Sequence, residues 1–179
     1  MVRGKTGTLK MIASLIRPTS GETWFEGQRI DEVPPQKMGR VGLSVAMEGR
    51  RLFPSMTVFE NLQMGVYSRR DVKKGEIKRD LEEIYEVSPI LKEKTNCQAR
   101  ILSGGQAQML AIARSLMSKP KFLLMDEPLQ GLAPLMVEEI ANIIARLKQS
   151  GLTIFMKEII QAERLSEAMH NIKTTPTTV

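Results

Sequence analysis

Phe122-Leu123-Leu124-Met125-Asp126-Glu127-Pro128 runs four apolar residues straight into two carboxylates and a proline. A wholly apolar run this short predicts a strand buried on both faces, as in a parallel sheet. The segments on either side read as helices. Upstream, Ser103-Gly104-Gly105 opens a stretch whose apolar positions Met109, Leu110, Ile112, Ala113, Leu116 and Met117 recur at helical spacing, and Lys119-Pro120 ends it. Downstream, Leu135 to Lys148 carries Val137, Ile140, Ile144 and Leu147 on one face, Gly151 stops it, and Leu152 to Met156 reads as the next buried strand. Strands alternating with helices predict an α/β fold with a parallel sheet.

Farther out, Thr8 to Ile16 reads as a helix stopped by the turn Pro18-Thr19-Ser20-Gly21. Thr23-Trp24-Phe25 is a short β-prone run closed by Gly27, and Val41 to Val45 reads as a buried strand. Glu48-Gly49-Arg50-Arg51-Leu52-Phe53-Pro54 is a polar loop. Val58 to about Leu91 is helical and charged, with an interruption expected at Lys73-Lys74-Gly75 and the better helix over Asp80 to Val87. Thr174 to Val179 reads as a frayed tail, and no internal repeat is visible.

Composition narrows the chemistry. The 179 residues suffice for one core, or for a small core with an inserted lobe. No window approaches the roughly 18 consecutive apolar residues of a spanning helix, and Met1 to Lys10 is not followed by the apolar stretch of a secretion signal. One cysteine, Cys97, excludes an internal disulfide, and one histidine, His170, excludes a two-histidine metal site. The net charge of +6 suits an anionic partner or a merely solvated basic surface equally. Aromatic residues make up 4%, too few for base-stacking platforms, so no nucleic acid is expected as a partner.

Three segments carry candidate chemistry. Gly4-Lys5-Thr6 matches the end of a phosphate loop, in which backbone N–H groups and a helix start cradle phosphates, Lys5 reaches the β/γ oxygens and the Thr6 hydroxyl binds Mg²⁺. The tripeptide alone is common. Leu102-Ser103-Gly104-Gly105-Gln106 has a plain structural reading, an N-cap serine with glycines for a tight turn, which explains the serine and one glycine but not the whole pentapeptide. Asp126-Glu127 stands where α/β sheets place their ligands, at the carboxyl end of a strand. A solvated loop accounts for one carboxylate there; two fit better as a Mg²⁺ partner, Asp126, and a base that orients water, Glu127.

With these segments in this order, the chain resembles the ATP-binding subunit of an ABC transporter. The pentapeptide is similar to that family's signature, and Asp126-Glu127 resembles its acidic strand end and catalytic glutamate. Glu48 to Pro54, Met109 to Arg114 and Gly131-Leu132-Ala133-Pro134 resemble the branch that serves branched-chain amino acid uptake. The resemblance implies an α/β P-loop NTPase (RecA-like) fold, a parallel sheet flanked by helices with an inserted helical lobe, incomplete at both ends. The core would comprise 1–48 and 118–179, and the lobe 49–117 with the signature helix. It implies ATP and Mg²⁺ as cofactors. Gly4, Lys5, Thr6, Glu48 and Asp126 of one subunit, with the catalytic Glu127, would meet Ser103, Gly104, Gly105 and Gln106 of a second ATP-binding subunit, in a homo- or heterodimer. Thr6, Asp126 and Glu48 would hold Mg²⁺ through ATP. Integral membrane permease subunits would be the other partners, at the cytoplasmic face of the cell membrane.

The chain also departs from the family pattern. It starts inside the phosphate loop and lacks the aromatic residue that usually stacks on adenine, which leads us to expect weak Mg-ATP binding. Glu48 stands where glutamine is usual, and Leu129-Gln130 where the family usually reads serine. Ile159 occupies the switch position that usually carries histidine, and His170 falls too far along to replace it. A non-catalytic remnant of the family is therefore an alternative reading. A soluble ABC ATPase acting on nucleic acid or ribosomes is another, disfavoured by the branch-like motifs.

Overall fold

A computed structural model describes residues 3–157, with side chains from Gly7 onward. In chain order the elements are α1 (Arg3–Ile12), the hairpin β1 (Trp24–Phe25) and β2 (Gln28–Arg29), α2 (Met38–Val41), β3 (Leu43–Ala46), α3 (Val58–Val66), α4 (Lys74–Val87), α5 (Pro89–Glu93), α6 (Gly104–Leu116), β4 (Phe122–Asp126), α7 (Pro134–Gln149) and β5 (Thr153–Lys157). The strand order β3-β4-β5 is parallel throughout, with β4 in the middle as its apolar run requires. Leu43 lies beside Phe122 and Ala46 beside Met125; on the other edge Phe122 lies beside Thr153 and Asp126 beside Lys157.

Alternation along β4 sends its side chains into two cores. Leu123 and Met125 join Met109, Ile112, Val137 and Ile140 from α6 and α7, whereas Leu124 joins Leu9 and Ala13 at α1 and Leu43 of β3. Leu123, Leu124 and Met125 are fully buried, each contributing about 1.5–3 kcal/mol through removal from water. Helices thus cover both faces of the sheet, and α7 makes the long crossover that parallel strands demand.

Local sequence explains where the elements differ from expectation. Val41 ends α2 rather than starting a strand, because Gly42 at φ +95° caps that helix in the left-handed region and turns the chain into β3. Gly27 does not merely close a strand; Glu26 and Gly27, both at positive φ, make the two-residue turn of the β1–β2 hairpin. Helix α1 starts and ends earlier than expected, since Ser14 at φ +57° folds the chain back so that the Leu15 and Ile16 N–H groups both reach Lys10 O. Lys73-Lys74-Gly75 starts α4 instead of interrupting it; Lys73 is the N-cap, and the break lies upstream, where Asp71 adopts φ +53°. Strand β5 is not buried on both faces, with Phe155 left 38% exposed, because it pairs with β4 along one edge among the described residues.

Candidate functional site

The parallel register sets the site. Because β3 and β4 run the same way with Ala46 beside Met125, the loop holding Glu48 and the turn holding Asp126 and Glu127 leave the same end of the sheet. Asp126 is the last residue of β4 and is almost completely buried. Glu127 follows in the left-handed region at φ +50°, a sparsely used conformation for a non-glycine residue. Its N–H donates to Lys157 O at 2.8 Å, which carries the β4–β5 ladder one residue past the acidic strand end.

Lys157 is the residue that the sequence analysis missed. Its ammonium donates to Asp126 Oδ1 at 3.1 Å and to Glu127 Oε1 at 2.6 Å, and it is only 5% exposed. Burial alone would push this lysine down, but the hydrogen bonds it donates to Glu127 and Asp126 outweigh that effect and hold its pKa above the ordinary lysine value. The sequence offered one sign of it, a lysine placed directly after the strand read over Leu152 to Met156, although its register with Asp126 is visible only in the fold.

Two carboxylates are hard oxygen ligands of the type magnesium prefers. As arranged they do not fit that ion, since the Lys157 ammonium takes one oxygen of each. Among the described residues no group of three or more His, Cys, Asp or Glu side chains is set to hold a metal.

At the other segment, Ser103 is the N-cap of α6. Its hydroxyl accepts from Gln106 N at 3.3 Å while Ser103 N donates to Gln106 Oε1 at 3.1 Å, a reciprocal capping box. Gly105 is buried where any side chain would strike Met136 of α7, at 2.4 Å for an added Cβ. A Cβ on Gly104 would sit 3.3 Å from the Arg50 guanidinium, so the α6 start abuts the Glu48 loop. The plain structural reading thus covers Ser103, Gly105 and Gln106, more than the sequence led us to expect.

The loop itself is pinned by two residues that were also missed. Asn61 of α3, fully buried, accepts from Phe53 N at 2.9 Å and donates to the carbonyls of Phe53, Met56 and Thr57. Arg114 of α6 lies over the Phe53 ring at 5.6 Å and donates to Arg50 O, and burial pushes its pKa below the usual arginine value. Gly49, Arg50 and Arg51 all adopt positive φ between these anchors. Glu48 is exposed in the turn. Gly4, Lys5 and Thr6 lie in the first turns of α1; Ile159 and His170 fall outside the described residues. No helix among the described residues is long and apolar enough to cross a membrane.

A family model described as ABC transporter matches residues 3–130. The chain is 39% identical over 155 residues to the high-affinity branched-chain amino acid transport ATP-binding protein BraG of Pseudomonas aeruginosa, covering 87% of this chain and 65% of that protein. It is 42% identical over 132 residues to the molybdate/tungstate import ATP-binding protein WtpC of Thermococcus kodakarensis, covering 72% of this chain and 38% of that one. The chain therefore spans less than two thirds of the length of either relative. Among solved structures, the ADP conformation of MJ1267, an ATP-binding cassette of an ABC transporter, superposes with a TM-score of 0.74 at 28% identity, over 87% of this chain and 65% of that one. The parallel sheet, its flanking helices and the matched residues agree: the chain belongs to the ABC transporter family.

Proposed function

We propose that this chain is the ATP-binding subunit of an importer, with branched-chain amino acids as its substrate class, coupling ATP hydrolysis to transport. One observation carries the reading. Asp126 and Glu127 end the central strand of a parallel sheet, while the helix bearing Gly4-Lys5-Thr6 packs Leu9 and Ala13 on that same strand through Leu124. In this reading Gly4, Lys5 and Thr6 bind the ATP phosphates, Glu48 and Asp126 face them from the carboxyl end of the sheet, and Glu127 orients the attacking water. The likeness to BraG supports the substrate class, against the molybdate and tungstate named for WtpC.

Partners follow from the same reading. A second ATP-binding subunit would meet the exposed Ser103 and Gly104 at the start of α6. The helical segment 49–117 would meet membrane permease subunits at the cytoplasmic face. Phe53, Phe59, Met64 and Tyr67 leave apolar surface exposed on it, with Phe53, Met64 and Tyr67 beside a groove of about 440 Å³. A cassette that binds nucleotide without turning it over is the second reading, favoured by the ammonium that Lys157 sets on the acidic pair.

Equilibrium titration with a fluorescent ATP analogue tests the first step. Saturable binding that weakens about tenfold or more in Lys5→Ala is the expected result, since a lysine on the terminal phosphates makes charge-assisted hydrogen bonds. Binding that ignores Lys5→Ala would remove the phosphate-loop assignment.

A further inference from the structure

We propose that Lys157 is a built-in counter-ion that closes the Asp126–Glu127 pair to divalent cations, so that a metal enters this chain's site only when the lysine swings away. The inference rests on the reading of Asp126 and Glu127 as the acidic pair of a nucleotide site. Register places the lysine there: Asp126 and Lys157 are neighbours across parallel strands, and the same segment is fastened again by Glu127 N–H on Lys157 O. All three charged side chains are less than a tenth exposed. Among the residues whose side chains are described, Gly7 onward, Lys157 is the cation within salt-bridge distance of these carboxylates.

The chemistry follows from occupancy. A divalent ion needs carboxylate oxygens with free lone pairs and open surroundings. Here Nζ lies 3.1 Å from Asp126 Oδ1 and 2.6 Å from Glu127 Oε1, so an ion bound at either oxygen would sit against a like charge in a buried setting. The ammonium also occupies one acceptor site of the Glu127 carboxylate that a water would otherwise use. A four-carbon stem lets the lysine leave without disturbing β5, which makes the contact a removable block rather than a permanent one. Lys157 is in these terms a residue that sets metal dependence, acting through the carboxylates it holds.

Mn²⁺ titration of the full 179-residue chain, followed by electron paramagnetic resonance without nucleotide, measures the effect directly. Lys157→Met should bind Mn²⁺ at least about tenfold more tightly than the unmodified chain, because it removes a like charge held against both carboxylates. The gain should vanish in Lys157→Met with Asp126→Asn, and Lys157→Arg, which keeps the charge, should show none. Lys157→Gln serves as a second neutral variant should methionine unfold the chain. Equal Mn²⁺ affinity in the neutral variants and the unmodified chain overturns the proposal. So does tight binding by the unmodified chain that Asp126→Asn abolishes, a result that needs no lysine variant.

A fluorescent ATP analogue with and without Mg²⁺ separates this from the underlying reading. Nucleotide binding with the same Mg²⁺ response in unmodified and Lys157→Met chains sinks the counter-ion and spares the ATP assignment. A Mn²⁺ gain in Lys157→Met with no nucleotide binding in either chain supports the counter-ion and sinks the ATP assignment.

Discussion

The start of α6 and the tip of β4 hold the two motifs that single out this chain, and they are built in opposite ways. At the α6 start every polar contact of Ser103 and Gln106 is local, a capping box closed within four residues and open to solvent. At the β4 tip the partner arrives from 30 residues away, brought by strand register, and the contact is buried. The first is a neutral arrangement. The second sets three charges out of water, where each depends on the others. A motif can therefore be complete within its own segment, or complete only through the fold.

The sharpest way to break the comparison is to remove one charge at the tip. Lys157→Met should cost about 3–5 kcal/mol in urea unfolding, since it strands two buried carboxylates. Pairing it with Asp126→Asn should recover a large part of that loss. If the single variant unfolds like the unmodified chain, the tip is no more than a solvated pair.

A second ionic cluster offers an intermediate case. Asp80 of α4 is buried between Arg69 and Lys119, so it ties α4 to the segments after α3 and α6. Burial works against its ionisation, but the hydrogen bonds from Arg69 and Lys119 prevail and hold its pKa below 3.8. A native pKa below the unfolded one means that the contribution is full above 3.8 and disappears as pH falls through the lowered native value. Asp80→Asn should cost about 1.5–3 kcal/mol near pH 7, the range for hydrogen bonds to charged groups. The gap between variant and unmodified chain should narrow when unfolding is measured at successively lower pH in that acid window.

At the α6 start the effects should be smaller. Gly105→Ala forces a methyl against Met136, whose flexible end can yield, so a loss at the low end of about 1–3 kcal/mol is expected from thermal unfolding. Ser103→Ala removes only the cap and should cost about 1 kcal/mol. A Ser103→Ala loss as large as that of Lys157→Met would erase the distinction between the two regions.

The same contrast explains what could be read from the sequence. Strand β4 and helices α6 and α7 were recoverable because their apolar spacing reports burial directly, and Ser103 because capping is a local preference. Val41 and Lys73 were misread because left-handed residues nearby, Gly42 and Asp71, moved the boundaries by backbone conformation rather than by polarity. Lys157 and Asn61 escaped for another reason. Each finds its partners through strand register or loop closure, and neither leaves a periodic trace.

Asn61 has a mechanical consequence. One amide grips the chain at Phe53, Met56 and Thr57, so the end of the Glu48 loop and the start of α3 are riveted into one stiff piece. Between that piece and the tip of β3 the chain turns through the three positive-φ residues Gly49, Arg50 and Arg51, where Arg114 of α6 holds the Arg50 carbonyl. The segment that follows Glu48 is therefore strapped to two helices at once, to α3 through Asn61 and to α6 through Arg114.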